Sequence, residues 1–185
     1  MLLLEQYGEK DIGILFTFFL NILSLKIGES FVISPDEPHA YIRGDLMEAM
    51  VNSDNVVRGG LTPKLKDTKT LMNMLRYEFK ERKQNSGEQV HKSEQASVVR
   101  YPTGYDEFMV THVKLSGEEK VPLCFNSLSI VLALSGSAQA EVEGWGSQEV
   151  GNKNAYFVMP GQQVQVSKHA ESGEDVSLFI ASCEI

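Results

Sequence analysis

Residues 127–167 read SLSIVLALSGSAQAEVEGWGSQEVGNKNAYFVMPGQQVQVS, a succession of short apolar or alternating runs broken by glycine. Ser127–Leu134, Ala138–Glu143, Ala155–Met159 and Val164–Ser167 each have the length and composition of a strand, with Gly136, Gly144, Gly146, Gly151 and Gly161 between them. Outward from this stretch the pattern continues. Ser97–Tyr101 and Phe108–Lys114 precede it, Val176–Ser182 follows it, and Gly117 and Gly173 add two turns. Many short strands at even spacing with glycine turns indicate a sandwich or jelly roll. Residues 97–185 are therefore expected to form one β domain. His112 and His169 have no convergent partners in sequence, and Trp145 between its two glycines reads as a loop anchor or a ligand platform, so the expected role of this half is structural.

Upstream of the β domain, residues 80–96 contain almost no apolar side chain and read as a solvated linker, with His91 a surface histidine. Further upstream, Ser24–Ile33 suggests two strands around a turn at Ile27-Gly28, and Asp45–Met50 and Asn55–Val57 suggest two more. Thr62-Pro63 has the form of a helix start, a polar cap followed by proline, and Leu71, Met74, Leu75 and Phe79 then recur at helical spacing. Residues 1–24 carry Leu, Ile and Phe on most faces, as expected of a helix packed on several sides. The expected division is thus 1–24 as the end of a helical domain, 25–82 as the closing part of a site-bearing domain, 83–96 as linker and 97–185 as the C-terminal β domain. A helix so apolar needs neighbours, and these are expected to lie upstream of Met1.

Composition sets the outer limits. With 25 acidic against 17 basic residues the net charge is -8, which excludes a general nucleic-acid surface built on clustered Lys and Arg. The apolar run Ile12–Leu25 is interrupted by Gly13, Thr17, Asn21 and Ser24. It is shorter than the roughly 20 residues of a membrane span, so no membrane partner is expected. The first charges are Glu5 and Glu9, unlike the basic start of a signal peptide. Cys124 and Cys183 have neither CxxC nor zinc-type spacing and read as thiols of a reducing compartment, the cytoplasm.

The candidate chemistry is concentrated in residues 39–64, HAYIRGDLMEAMVNSDNVVRGGLTPK. His39 follows Pro38, whose fixed φ stiffens the approach. It is either a turn histidine or a metal ligand. Arg58 offers a planar fork for an oxyanion and Lys64 a compact charge, and Gly59-Gly60 lets the backbone come close to a ligand. The alternative for both cations is a pair of surface charges beside a turn. Glu48 stands in Leu46-Met47-Glu48-Ala49-Met50, where an extended backbone puts it on the face of Leu46 and Met50. Asp54 serves either the turn at Asn52-Ser53-Asp54 or a proton transfer. Arg43, Lys66 and Lys69 read as solvated.

This run, with GEKDIGILFTFFLN and GESFVISPDEPHAY before it, resembles the signature of the type I mannose-6-phosphate isomerases over residues 8–80. The resemblance implies a C-terminal part of that family, a mainly β protein with cupin-like jelly-roll domains: the end of a first jelly roll, then a second, with an N-terminal buried helix. It implies that His39 is a ligand of the one zinc ion of the complete protein and Arg58 the active-site arginine. Glu48, Asp54 and Lys64 are its active-site neighbours by the same resemblance. The implied reaction interconverts mannose 6-phosphate and fructose 6-phosphate through an enediol(ate), feeding GDP-mannose synthesis. The family's other zinc ligands, a Gln-x-His pair and a Glu, come from an earlier segment, and the expectation is that this chain holds no Gln-x-His anywhere, which leaves His39 a lone ligand. The expectation is a truncated chain lacking most zinc ligands. A non-catalytic cupin-like domain that binds a sugar or a partner is the alternative.

Overall fold

The structure, a computed structural model, describes every residue except 1, 54, 55, 79–83, 152, 184 and 185. It separates into two compact units, Met1–Leu46 with Asn52–Gln84, and Met47–Val51 with Asn85–Ile185.

The second unit is a double-sheet β domain. Its strands are β1 Glu88–Lys92, β2 Ala96–Tyr101, β3 Met109–Leu115, β4 Val121–Leu123, β5 Ser129–Ser135, β6 Ala138–Val142, β7 Gly146–Val150, β8 Ala155–Val158, β9 Val164–Lys168 and β10 Val176–Ser182. They form a six-stranded sheet in the order β1-β2-β3-β10-β5-β8 and a four-stranded sheet in the order β4-β9-β6-β7. Every ladder is antiparallel. From β3 on, the chain passes back and forth between the sheets, the winding of a jelly roll. Alternation builds the core. Val176, Leu178, Ile180 and Ser182 of β10 are buried while the residues between them are half-buried, and β10 lies between β3 and β5. Leu178 and Ile180 meet Leu115, Val113, Val131 and Ala133 in one apolar cluster, and each Leu, Ile or Val side chain contributes roughly 1.5–3 kcal/mol on burial.

The expected strands of this half are present, with shifts of a residue or two at their ends. Three strands were not expected, and each is polar or short. β1 lies inside the stretch read as linker, and its side chains are exposed apart from a half-buried His91. β7 is exposed except for Val150. β4 has three residues and contains Pro122, which an edge strand tolerates because its outer N–H groups need no ladder partner. Trp145 is 85% exposed at the β6–β7 turn, so it is not a loop anchor.

The first unit corrects more of the reading. The expected buried helix over 1–24 is two short helices with little burial: α1 Leu2–Tyr7 and a 3₁₀ helix Ile12–Phe18. Gly8, at φ 76°, donates its N–H to the Leu4 carbonyl and ends the first, since glycine alone takes this left-handed conformation freely. Asp11 caps the second by accepting from the Gly13 N–H at 2.8 Å. Leu15, Phe18, Phe19 and Ile22 are exposed, and Gly13 alone is buried among the described residues of this unit. The turn at Ile27-Gly28 exists, with Gly28 at φ 87°, yet no strand runs through the described residues of 24–33 or 45–57. α2 spans Thr68–Met74 and begins at Asp67, not at Thr62. Asp67 accepts from the Thr70 N–H at 3.0 Å and its hydroxyl at 2.6 Å. Thr62 instead holds a local turn through the Lys64 N–H, at 3.2 Å.

Candidate functional site

Arg58-Gly59-Gly60-Leu61 is held from a distance of fifty residues by Asp11. One carboxylate oxygen, Oδ1, accepts the N–H groups of Gly13 at 2.8 Å and Leu61 at 3.0 Å, and Oδ2 accepts from Lys66 Nζ at 3.0 Å. The Leu61 bond first, with the Lys66 and Gly13 bonds behind it, holds the Asp11 carboxyl down to about 2. The backbones themselves touch. A Cβ on Gly60 would lie 2.6 Å from Gly13 Cα, and one on Gly13 would lie 2.8 Å from the Leu61 nitrogen. The close approach that the glycine pair permits is therefore between two stretches of this chain. Leu61, at φ 53°, takes the left-handed backbone just after it.

On this pinned loop Arg58 is half-buried, and no ion pair or hydrogen bond engages its guanidinium among the described residues. Lys64 is exposed nearby in sequence. His39 is exposed; its Nδ1 lies 3.0 Å from the Glu37 carbonyl oxygen and its ring 5.8 Å from that of Tyr41. A bond from Nδ1–H to that carbonyl fixes the ring and leaves Nε2 with its lone pair facing outward. These three residues belong to the first unit, and no hydrogen bond or ion pair joins them to one another.

Glu48 belongs to the second unit. It is exposed together with Leu46 and Met50, while Met47 and Ala49 are half-buried, which is the face-sharing that the sequence suggests. Asp54 lies outside the described residues. Lys66, read as solvated, is instead the ionic partner of Asp11.

The zinc ion implied by the resemblance needs three or four protein ligands. No group of three or more His, Cys, Asp or Glu that could hold a metal occurs among the described residues. His39 is one potential donor, and the residues present do not make up the rest. The chain does contain a Gln-x-His that the sequence reading passes over, Gln89-Val90-His91, downstream of His39 on β1. Its side chains are engaged: Gln89 Nε2 donates to the Val98 carbonyl at 3.0 Å and Ser97 Oγ at 3.1 Å, and His91 Nε2 lies 2.9 Å from Glu119 Oε1. Within the β domain of the second unit, Phe125, Val131, Val164 and Val166 belong to the apolar core.

Asp11 and Gly13 are what sequence reasoning missed at this site. Asp11 does carry a local signal, an acidic cap before an apolar run. Nothing in spacing announces its second bond to Leu61.

No protein-family model matches the chain. Curated relatives do. The mannose-6-phosphate isomerase of Candida albicans is 34% identical over 98% of this chain and 44% of its own length. That of Bos taurus is 33% identical over 99% of this chain and 44% of its own. That of Cryptococcus neoformans is 55% identical over 74 residues, 40% of this chain and 17% of its own. Among solved structures, the Cnp3 cupin domain of Schizosaccharomyces pombe is matched with TM-score 0.41 and 12% identity, over 51% of this chain and 64% of that one. An RmlC-like cupin with a double-stranded β-helix fold from Methanocaldococcus jannaschii gives 0.41 and 13%, over 51% and 87%. The chain belongs to the mannose-6-phosphate isomerase family, which it matches along nearly all of its own length and less than half of the length of those relatives.

Proposed function

We propose that this chain is part of a mannose-6-phosphate isomerase, an enzyme that interconverts mannose 6-phosphate and fructose 6-phosphate and so supplies the mannose used for GDP-mannose. The observation that carries the reading is homology to isomerases at 31–35% identity over 95–99% of the chain. The half-buried Arg58 on a braced loop, unpaired among the described residues, supports it.

Aldose–ketose exchange moves a proton between two carbons and builds negative charge on the sugar oxygens. A guanidinium already in place stabilises that charge without reorganising. We assign this role to Arg58. Lys64 offers a contact to the phosphate, Asp54 a share in ring opening, and Glu48 a place as active-site neighbour. The zinc ion is part of this proposal as a Lewis acid toward the sugar oxygens, with His39 as one ligand. Because the described residues do not complete its site, no step is assigned to it. The cytoplasm is the proposed location; among the described residues no helix is long and apolar enough to cross a membrane, and Cys124 and Cys183 are free thiols.

The test is Arg58→Lys in the natural protein that carries this stretch. Lysine keeps the charge and loses the fixed fork. Loss of one preorganised donor is worth roughly 3 kcal/mol, about a hundredfold in kcat/KM for fructose 6-phosphate, at an unchanged melting temperature. Near-normal turnover by the variant would make Arg58 a surface charge. Absence of isomerisation by the unsubstituted natural protein would favour the non-catalytic cupin-like alternative.

A further inference from the structure

The second unit holds a cavity of about 190 Å³ between its two sheets, at the end where β1, β2 and β3 face β4. Its walls are mostly apolar, with Val98 from one sheet and Val121, Leu123 and Phe125 from the other side. Arg100, Thr111 and His91 are the polar side chains of this lining, with the Cys124 thiol beside them. Arg100 on β2 and Thr111 on β3 are direct cross-strand partners, so their side chains stand next to each other on the inner face. Arg100 Nε and Thr111 Oγ1 are both buried without a hydrogen-bond partner. Thr111 is 1% exposed, among the most buried residues of the domain.

A buried donor left unpaired is rare, and on Arg100, half-buried as a residue, the Nε–H is such a donor, one that an anion in the cavity would satisfy. Interior positions of this fold can be filled by aliphatic residues, as Val98 and Val113 fill those beside them. No carboxylate of the described residues pairs with Arg100. His91, also in the lining, has Glu119 as its own partner at 2.9 Å. The place of the anion beside Arg100 is open.

We infer that this cavity is a binding site for a small oxyanion, a phosphate or carboxylate group on a compact metabolite, with Arg100 and Thr111 as its recognition pair. The Arg100 guanidinium donates to two oxygens of the anion and the Thr111 hydroxyl donates to a third or to one of these. The volume holds the charged group and a few carbon atoms, being several times the roughly 30 Å³ of a water molecule in the liquid. Val98, Leu123 and Phe125 close on the carbon side. This inference is independent of the reading of Arg58, since it rests on residues of the second unit alone.

The experiment is an NMR titration of the intact chain with inorganic phosphate, fructose 6-phosphate and acetate in separate arms, each matched for ionic strength with sodium chloride. The Arg100 Nε–H and Thr111 amide resonances report the site. The expected result is a saturable shift of both with at least one of these anions, the arms separating phosphate from carboxylate recognition. Thr111→Val is nearly isosteric and removes a hydroxyl that has no partner without ligand. It is expected to leave the fold intact and weaken binding about tenfold. Arg100→Met is expected to reduce affinity at least about a hundredfold without lowering thermal stability. Shifts that follow ionic strength alone, no saturation in any arm, or undiminished affinity in a folded Thr111→Val protein would overturn the assignment. In those cases Arg100 merely snorkels its stem over the cavity wall.

Discussion

His112 shows how a residue with no partner in sequence acquires a role in the fold. It faces Phe179 across the β3–β10 ladder, ring on ring at 4.1 Å and 9°, with Nε2 2.8 Å from Ser177 Oγ. Burial, with the Lys114 charge behind it, lowers its pKa from 6.5 to about 4. In the unfolded chain the ring takes a proton below about 6.5; in the folded chain it stays neutral until about 4. Stability of the second unit therefore falls as pH drops through that window, because the unfolded state binds more protons there. Urea midpoints measured from pH 7 to pH 4.5 are expected to decline, and His112→Asn to flatten the decline. An unchanged slope in the variant would put the loss on other groups. Asp11 acts in a separate window: held down to about 2, it contributes stability that is lost as pH falls from 3.8 toward that value.

At the scale of elements, what the sequence disclosed followed how much each segment buries. β10 was legible to the residue because a central strand needs buried side chains at every second position. β1 and β7 expose nearly every side chain and so carry no apolar period, and β4 is too short to show one. The N-terminal segment misled for the opposite reason. Its apolar content suggests a packed helix, while Gly8 and Asp11 set the actual ends, and local backbone chemistry outweighed composition. Arg58, His39 and Lys64 stood out through resemblance; the brace beneath Arg58 did not, because the Asp11–Leu61 bond joins segments fifty residues apart. The brace makes a sharp contrast between adjacent glycines. A methyl on Gly60 meets the Gly13 backbone at 2.6 Å, which cannot yield, whereas on Gly59 it meets the Leu71 and Phe16 side chains at 3.4 and 3.5 Å. Gly60→Ala is expected to cost at least about 2 kcal/mol and to abolish hydrogen-exchange protection of the Leu61 amide. Gly59→Ala should change that protection little. Equal effects of the two would mean that the loop is not held against Gly13.

For the molecule as a whole, the uneven distribution of burial between the two units has a measurable result. The second unit has a continuous core, while in the first Phe18 is 79%, Ile22 84% and Ile27 98% exposed. Apolar surface concentrated in one stretch of chain promotes association. Sedimentation velocity on this polypeptide is expected to show concentration-dependent self-association that the double substitution Phe18→Ser, Ile22→Ser suppresses. A monodisperse monomer at all concentrations would show that these side chains find cover. The path of the chain through the units has a different bearing. Met47–Val51 is counted with the second unit, although the segments on either side of it in sequence are counted with the first. Neither unit is one uninterrupted stretch of gene. Recombination at a single point after Gln84 would pass on a β domain without its Met47–Val51 segment, Glu48 included.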